Sequence, residues 1–207
     1  METGHVLTRR ERQAAVTRAD IVSAAGRLML ARGYVAVSIS DIAHEANVAI
    51  QTIYNSVGTK VDVLAAILER VAQQADAPDL VSATMRQKID EARNPSEIIR
   101  ILATWCFLAN ERTAGILRIV TEAGVSDPDV AEFARKQDVT RLRGYGDVAR
   151  VLRVRSGLRT GLSDHEGAAV IWAIGHPQAY RTLVLEVGWS ADAYTEWLQK
   201  SLHAALL

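Results

Sequence analysis

The sequence predicts an all-α fold in two parts, a three-helix unit at the amino end and a larger helical bundle behind it. Three observations carry that prediction. Through most of the 207 residues, apolar side chains recur at three- and four-residue spacings, which stacks them on one face of a helix. No stretch sustains the alternation of a half-buried strand, and aromatic residues, which strands favour, make up only 5% of the chain. Capping residues and helix breakers fall mostly between the apolar stripes.

The first stripe, over residues 17–32, holds Ile21, Ala24, Ala25, Leu28 and Met29 and is closed by Gly33. Ahead of it Arg9, Arg10, Arg12 and Arg18 face only Glu2, Glu11 and Asp20, which describes a charged arm, either solvated or laid along phosphates. Tyr34-Val35-Ala36-Val37 reads as a short extended link. Ser38 is placed to cap the next helix, with Asp41 three residues on completing a capping-box pattern. Ile39, Ile42, Ala43 and Ala46 share one face, and Val48, Ile53 and Val57 continue the apolar set. Between them stands Asn47, a residue that tolerates the left-handed backbone of a tight turn. Two helices this short cannot bury a core of their own; joined by such a turn they read as a helix-turn-helix, whose second helix fits a DNA major groove. Gly58 then breaks the chain, and Thr59 caps a helix over 61–74 with Leu64, Ile67, Leu68 and Val71 on one face.

Ala77-Pro78-Asp79 marks a domain boundary. The reading is therefore an arm and helix-turn-helix over 1–60, a connecting helix over 61–76, and a second domain over 77–207. In that second domain, a weak helix covers 81–92 and a break falls at Asn94-Pro95. Ser96 and Glu97 open a helix to about 112, and another spans 114–123 before Gly124 and Ser126-Asp127-Pro128. Asp127 caps, and Pro128 begins, a long helix to about 155. Ser163 to Glu166 form a capping box ahead of 168–174; Pro177 either kinks that helix or starts a new one reaching Val187 before Gly188. Ser190 caps the last helix, over 192–206.

Composition excludes more than it selects. The 24 basic and 24 acidic residues cancel, so no global field draws nucleic acid, and any such contact depends on local placement. A single cysteine, Cys106, forbids an intrachain disulfide and fits a reducing cytoplasm. The amino end is too polar for a secretory leader, and no run nears the roughly 18 apolar residues that would span a bilayer. The five histidines are scattered, with no HExxH or Cys/His metal spacing, and no GxSxG, P-loop or dinucleotide glycine pattern occurs. Neither a metal, a cofactor nor an enzyme is expected. Gly144-Tyr145-Gly146 suggests a bend or a close helix approach. Cys106 is read as a buried, inert thiol, since a nucleophile would need a histidine partner in space.

Residues 17–71 resemble the N-terminal domain of TetR-family transcriptional regulators. The likeness lies in Ala24-Ala25, Gly33-Tyr34, Ser38-Ile39-Ser40-Asp41-Ile42-Ala43, Val48, Thr52-Ile53-Tyr54, Lys60 and Val63-Leu64. It covers about a quarter of the chain; beyond it only helix number, length and order agree. The resemblance implies a DNA-reading helix over about 50–56. Gln51 and Asn55 carry amides suited to adenine, and Thr52 offers a hydroxyl to phosphate and a methyl to thymine. Tyr54 resembles the family's phosphate-anchoring tyrosine, and Ser38 its capping hydroxyl that touches phosphate. Ile50, Ser40 and Ser56 stand on the same outer edge, and Lys60 adds charge at the start of the next helix. Taken singly, each of these is solvated surface or core; the joint spacing makes the case. The sequence departs from the family at Asn47, Ala49 and Val57, where glycine, a hydroxyl residue and an aromatic are common. Ala49 forfeits an N-cap worth about 1 kcal/mol.

For the second domain the resemblance implies a homodimer on a palindromic double-stranded DNA operator, with segments 170–187 and 194–206 forming the interface. Trp105, Cys106, Phe107, Tyr145, Trp172, His176 and Tyr180 are the groups able to line a site for a small apolar or amphipathic effector. His176 either satisfies a backbone carbonyl or faces that ligand. The alternative is a helical ligand-binding or adaptor protein without specific DNA binding.

Overall fold

The computed structural model describes residues 8–73 and 83–207, and every regular element among them is helical. The boundary at Ala77-Pro78-Asp79 and the facing ends of the expected 61–74 and 81–92 helices lie outside those residues. Backbone packing divides the chain into two units: residues up to Glu69 with Arg118–Phe133, and Arg70–Leu117 with Ala134–Leu207.

In the first unit, α1 (Arg9–Arg32) starts eight residues before its apolar stripe. The cause is local. Thr8 accepts from the Glu11 N–H, and the Glu11 carboxylate accepts from the Thr8 N–H at 2.7 Å, so a capping box nucleates helix where a free arm was expected. Gly33, at φ +78°, ends the helix. Residues 34–37 form a turn closed by Val37 N–H to the Tyr34 carbonyl at 3.2 Å, not the expected short extended link. Next come α2 (Ile39–Glu45), α3 (Ile50–Ser56) and α4 (Lys60–Gln73). Asn47 takes φ +53° between α2 and α3, as the tight turn requires. Ile21, Ala25, Met29, Ile42, Ile53, Val63 and Leu64 are fully buried, and residues 118–133 add Ile119, Val120, Ala123 and Val130.

The second unit is built from α5 (Ala83–Glu91), most of α6 (Pro95–Gly124) and α7 (Pro128–Val154), α8 (Asp164–Gly175), α9 (Pro177–Tyr180) and α10 (Ala191–Leu206). Asn94 caps α6 by accepting from the Glu97 N–H at 2.9 Å, and Pro95 takes the first helical position. The two helices expected over 96–112 and 114–123 are one. Thr113, placed between them, donates its hydroxyl to the Ala109 carbonyl at 2.7 Å and stays inside the helix instead of capping a new one. α7 runs unbroken through Gly144-Tyr145-Gly146, and a Cβ at Gly146 would meet nothing within 4 Å, so that glycine marks no close approach. Pro177 starts α9, which passes into a π-helical turn over Arg181–Glu186 that ends before Gly188 at φ +85°. Ile98, Ile99, Leu102, Leu152, Ile171, Leu198 and Leu202 fill the core. Among the described residues, no helix is long and apolar enough to cross a membrane.

Candidate nucleic-acid interface

The second helix of the expected helix-turn-helix is α3, and its faces separate cleanly. Ile53 is fully buried, while Ile50, Gln51, Tyr54 and Asn55 are exposed. One side of the helix thus anchors it and the other is free to meet a groove. Gln51 Nε2 donates to Asn55 Oδ1 at 3.1 Å, so the two amides form a preset pair one turn apart. The remaining Gln51 oxygen and Asn55 N–H groups keep the donor and acceptor character that base edges require. Thr52 and Ser56 are half-buried at the margin of that face, and Ile50 and Tyr54 stand about half exposed (46% and 49%).

The ends of α3 are held unequally. At its start Ala49 has an extended backbone and supplies no side-chain bond. At its end Arg18, from α1, donates to the Ser56 carbonyl at 2.8 Å, putting a cation against the negative end of the helix. Arg18, expected with the other amino-end arginines to be either solvated or laid along phosphates, secures the end of α3. Only its distance in sequence from Ser56 hid this role.

Ser38 and Ser40, at the start of α2, are both exposed. The Ser38 hydroxyl accepts from the Asp41 N–H at 3.0 Å and donates to Asp41 Oδ2 at 2.6 Å, so it is engaged in the capping box. Hydrogen bonds from the Ser38 side chain and backbone hold the Asp41 carboxyl below its usual range. Thr59 and Asp62 repeat the arrangement at α4, with Thr59 N–H to Asp62 Oδ2 at 2.8 Å. Lys60 begins α4 half-buried, with Nζ 4.0 Å from the centre of the Tyr34 ring. Burial lowers its pKa, and the charges of Asp127 and Asp41 oppose that shift.

In the second unit the structure gathers Trp105, Tyr145, Trp172 and His176 into one chain of edge-on rings, with centroids 6.3, 6.3 and 5.0 Å apart in that order. Tyr180 belongs instead to a second group with Phe107 and Tyr194. Cys106 is buried and interacts with Tyr145, and burial pushes its thiol up to about 12, which keeps it protonated and unreactive at neutral pH. His176 accepts from the Gln178 N–H at 3.0 Å through Nδ1 and thereby caps α9; its partner is an amide rather than a carbonyl. The indole N–H of Trp105 is buried without a hydrogen-bond partner. Two residues that sequence reading passed over complete this region. The Arg141 guanidinium lies 5.4 Å from the Trp172 ring. Asn110, only 4% exposed, donates to the Gly175 carbonyl at 3.0 Å. Neither has a motif to announce it; polarity at a helical core position was the one available sign. Among the described residues, no group of three His, Cys, Asp or Glu side chains could hold a metal ion.

Two short helices joined through a left-handed Asn47, the second showing a polar edge to solvent, define a helix-turn-helix protein. Residues 21–67 match the family model described as bacterial regulatory proteins, tetR family. No curated protein matches the sequence. Solved structures share the fold at low identity. A protein described as a TetR-family transcriptional regulator from Mesorhizobium loti is 17% identical with a TM-score of 0.72, over 96% of this chain and 97% of its own. FadR from Bacillus subtilis, solved in complex with stearoyl-CoA, is 18% identical with a TM-score of 0.69, over 91% and 99%. NalD, the secondary repressor of the MexAB-OprM multidrug efflux pump in Pseudomonas aeruginosa, is 18% identical with a TM-score of 0.67, over 95% and 98%.

Proposed function

We propose that the protein is a non-enzymatic repressor that binds a palindromic operator as a homodimer and is released by a small apolar or amphipathic effector. The observation that carries this reading is the two-faced α3, anchored through Ile53 and Arg18 while Ile50, Gln51, Tyr54 and Asn55 face outward. In this reading Gln51 and Asn55 contact bases, with Ile50 and Thr52 against thymine methyls. Ser38, Ser40, Tyr54, Ser56 and Lys60 hold backbone phosphates and set the register. Residues 1–60 act as the reading head, 61–76 as the connector, and 77–207 as the sensing and pairing domain. The Trp105, Cys106, Tyr145, Trp172 and His176 region, with Tyr180 beside it, is the proposed effector site. Its mix of aromatic surface, an unpartnered indole N–H and the Arg141 cation suits an amphipathic molecule. The stearoyl-CoA complex of a structural neighbour supports that class. Effector binding would favour a conformation of lower DNA affinity, and by linkage DNA would lower effector affinity by the same factor.

The test is a titration of the full chain against duplexes from beside its own gene. Salt-sensitive binding that distinguishes a palindrome from its scrambled version is expected, with Gln51→Ala relaxing preference at one base position. Binding that ignores sequence, or no binding, would favour the ligand-binding or adaptor reading. The missing cap at Ala49 and the exposed Ile50 are the features that fit that second reading.

A further inference from the structure

Tyr34, Lys60 and Asp127 come from distant parts of the chain but belong to one unit: the turn after α1, the first residue of α4 and the residue before α7. They form a continuous line of contacts. The Lys60 ammonium sits 4.0 Å from the centroid of the Tyr34 ring. The Tyr34 hydroxyl, on a side chain only 6% exposed, donates to Asp127 Oδ2 at 3.0 Å. Asp127 in turn accepts on Oδ1 from the N–H groups of Asp129 and Val130, at 3.0 and 3.3 Å, so the start of α7 fixes its carboxylate. Among the described residues, no carboxylate stands within ion-pair reach of Lys60; Asp127 and Asp41 act on it only over longer range.

We propose that Tyr34 and Asp127 are positioning residues for DNA binding, holding the Lys60 ammonium on the Tyr34 ring, charged and ready for a backbone phosphate. The inference rests on Lys60 being a phosphate contact. Three physical effects support it. A lysine side chain is flexible, and one already parked on a ring has less freedom left to lose when it meets DNA. A phenol that donates to a carboxylate has a more electron-rich ring face, which strengthens its hold on a cation. A ring, unlike an ion-pair partner, leaves the positive charge un-neutralised, so a phosphate meets it at full strength. Asp127 thus acts on the DNA contact through Tyr34 while lying 93 residues from it in sequence.

Phosphate contacts are insensitive to sequence, so the probe is a fluorescein-labelled duplex of mixed sequence, followed by anisotropy across a range of KCl. Lys60→Ala is expected to lower the slope of log K against log salt by about 1 per head. Tyr34→Phe, which keeps the ring, and Asp127→Asn, which keeps an acceptor for Tyr34 and for α7, should each weaken binding by about threefold with Lys60 present. Neither should weaken it further in the Lys60→Ala background. Thermal melts of the same variants confirm that folded protein is compared. If Lys60→Ala leaves slope and affinity unchanged, the phosphate role of Lys60 fails and the inference falls with it. If Lys60→Ala behaves as expected but the Tyr34 and Asp127 variants lose equal affinity in both backgrounds, or none, the positioning role alone is overturned.

Discussion

His176 shows how a single side chain links packing to solution conditions. Its ring is half-buried beside Trp172 and its Nδ1 accepts from the Gln178 N–H, which requires that nitrogen to be unprotonated. Burial, reinforced by the charge of Arg141 and opposed by Asp138, lowers its pKa below the ordinary histidine value. The sign of the consequence follows. A histidine with a folded pKa below its unfolded one binds its proton more weakly when folded, so the stability it contributes is complete above the unfolded value, about 6.5, and is lost as pH falls through the folded pKa. Urea unfolding at pH 7.5 and 5.5 should show wild-type losing more stability over this interval than His176→Asn, whose side-chain oxygen can take the same N–H. Equal losses would mean that the imidazole is not what makes this region acid-sensitive.

Several helix starts among the described residues share one hydroxyl cap. Ser38, Thr59, Ser163 and Ser190 each place a hydroxyl on the N–H three residues on, at α2, α4, α8 and α10. At α3, whose first residue follows Ala49, no side chain caps the helix. At φ −71° and ψ 147°, Ala49 already has the extended backbone of a cap, so Ala49→Ser should add the missing hydrogen bond without strain. The expected gain is about 1 kcal/mol, read as a higher urea midpoint with an unchanged slope. A lowered midpoint would show that the position has no room for the hydroxyl. The same locality explains what was legible in the sequence. Caps, Gly33, Asn47 and the buried Ile53 are decided within a few residues, so α2, α3 and α10 could be drawn almost to their ends. The continuous α6 was not legible, because Thr113 can cap a helix or bond back within one, and only the surrounding packing selects. Arg18 on the Ser56 carbonyl, Tyr34 on Asp127 and the grouping of residues 118–133 with the head depend on neighbours remote in the chain. The outer edge of α3 was legible by its spacing; its support from behind was not.

Pairing of two chains is the level at which the proposed function becomes specific. One helix of seven residues covers too little DNA for a selective site, and two such helices about 34 Å apart match successive turns of a duplex. The second unit carries a surface suited to that pairing: Leu185 and Val187 are 60% and 61% exposed, with Leu183, Val184, Trp189 and Trp197 only partly covered. One exposed leucine is ordinary, whereas a cluster at a π-helical turn asks for a partner. Wild-type protein at micromolar concentration is expected to sediment as a dimer. The double substitution Leu185→Glu, Val187→Glu should give a folded monomer, since neither side chain contributes to the buried core. That monomer keeps one reading head. Its binding to mixed-sequence duplex should therefore persist with roughly half the salt slope, because about half as many phosphates are contacted per complex. Preference for a palindrome should vanish, because discrimination between half-site spacings exists only when two heads are joined. A wild-type monomer, or a double variant that remains dimeric with its spacing preference intact, would place the pairing surface elsewhere and separate the apolar cluster from DNA recognition.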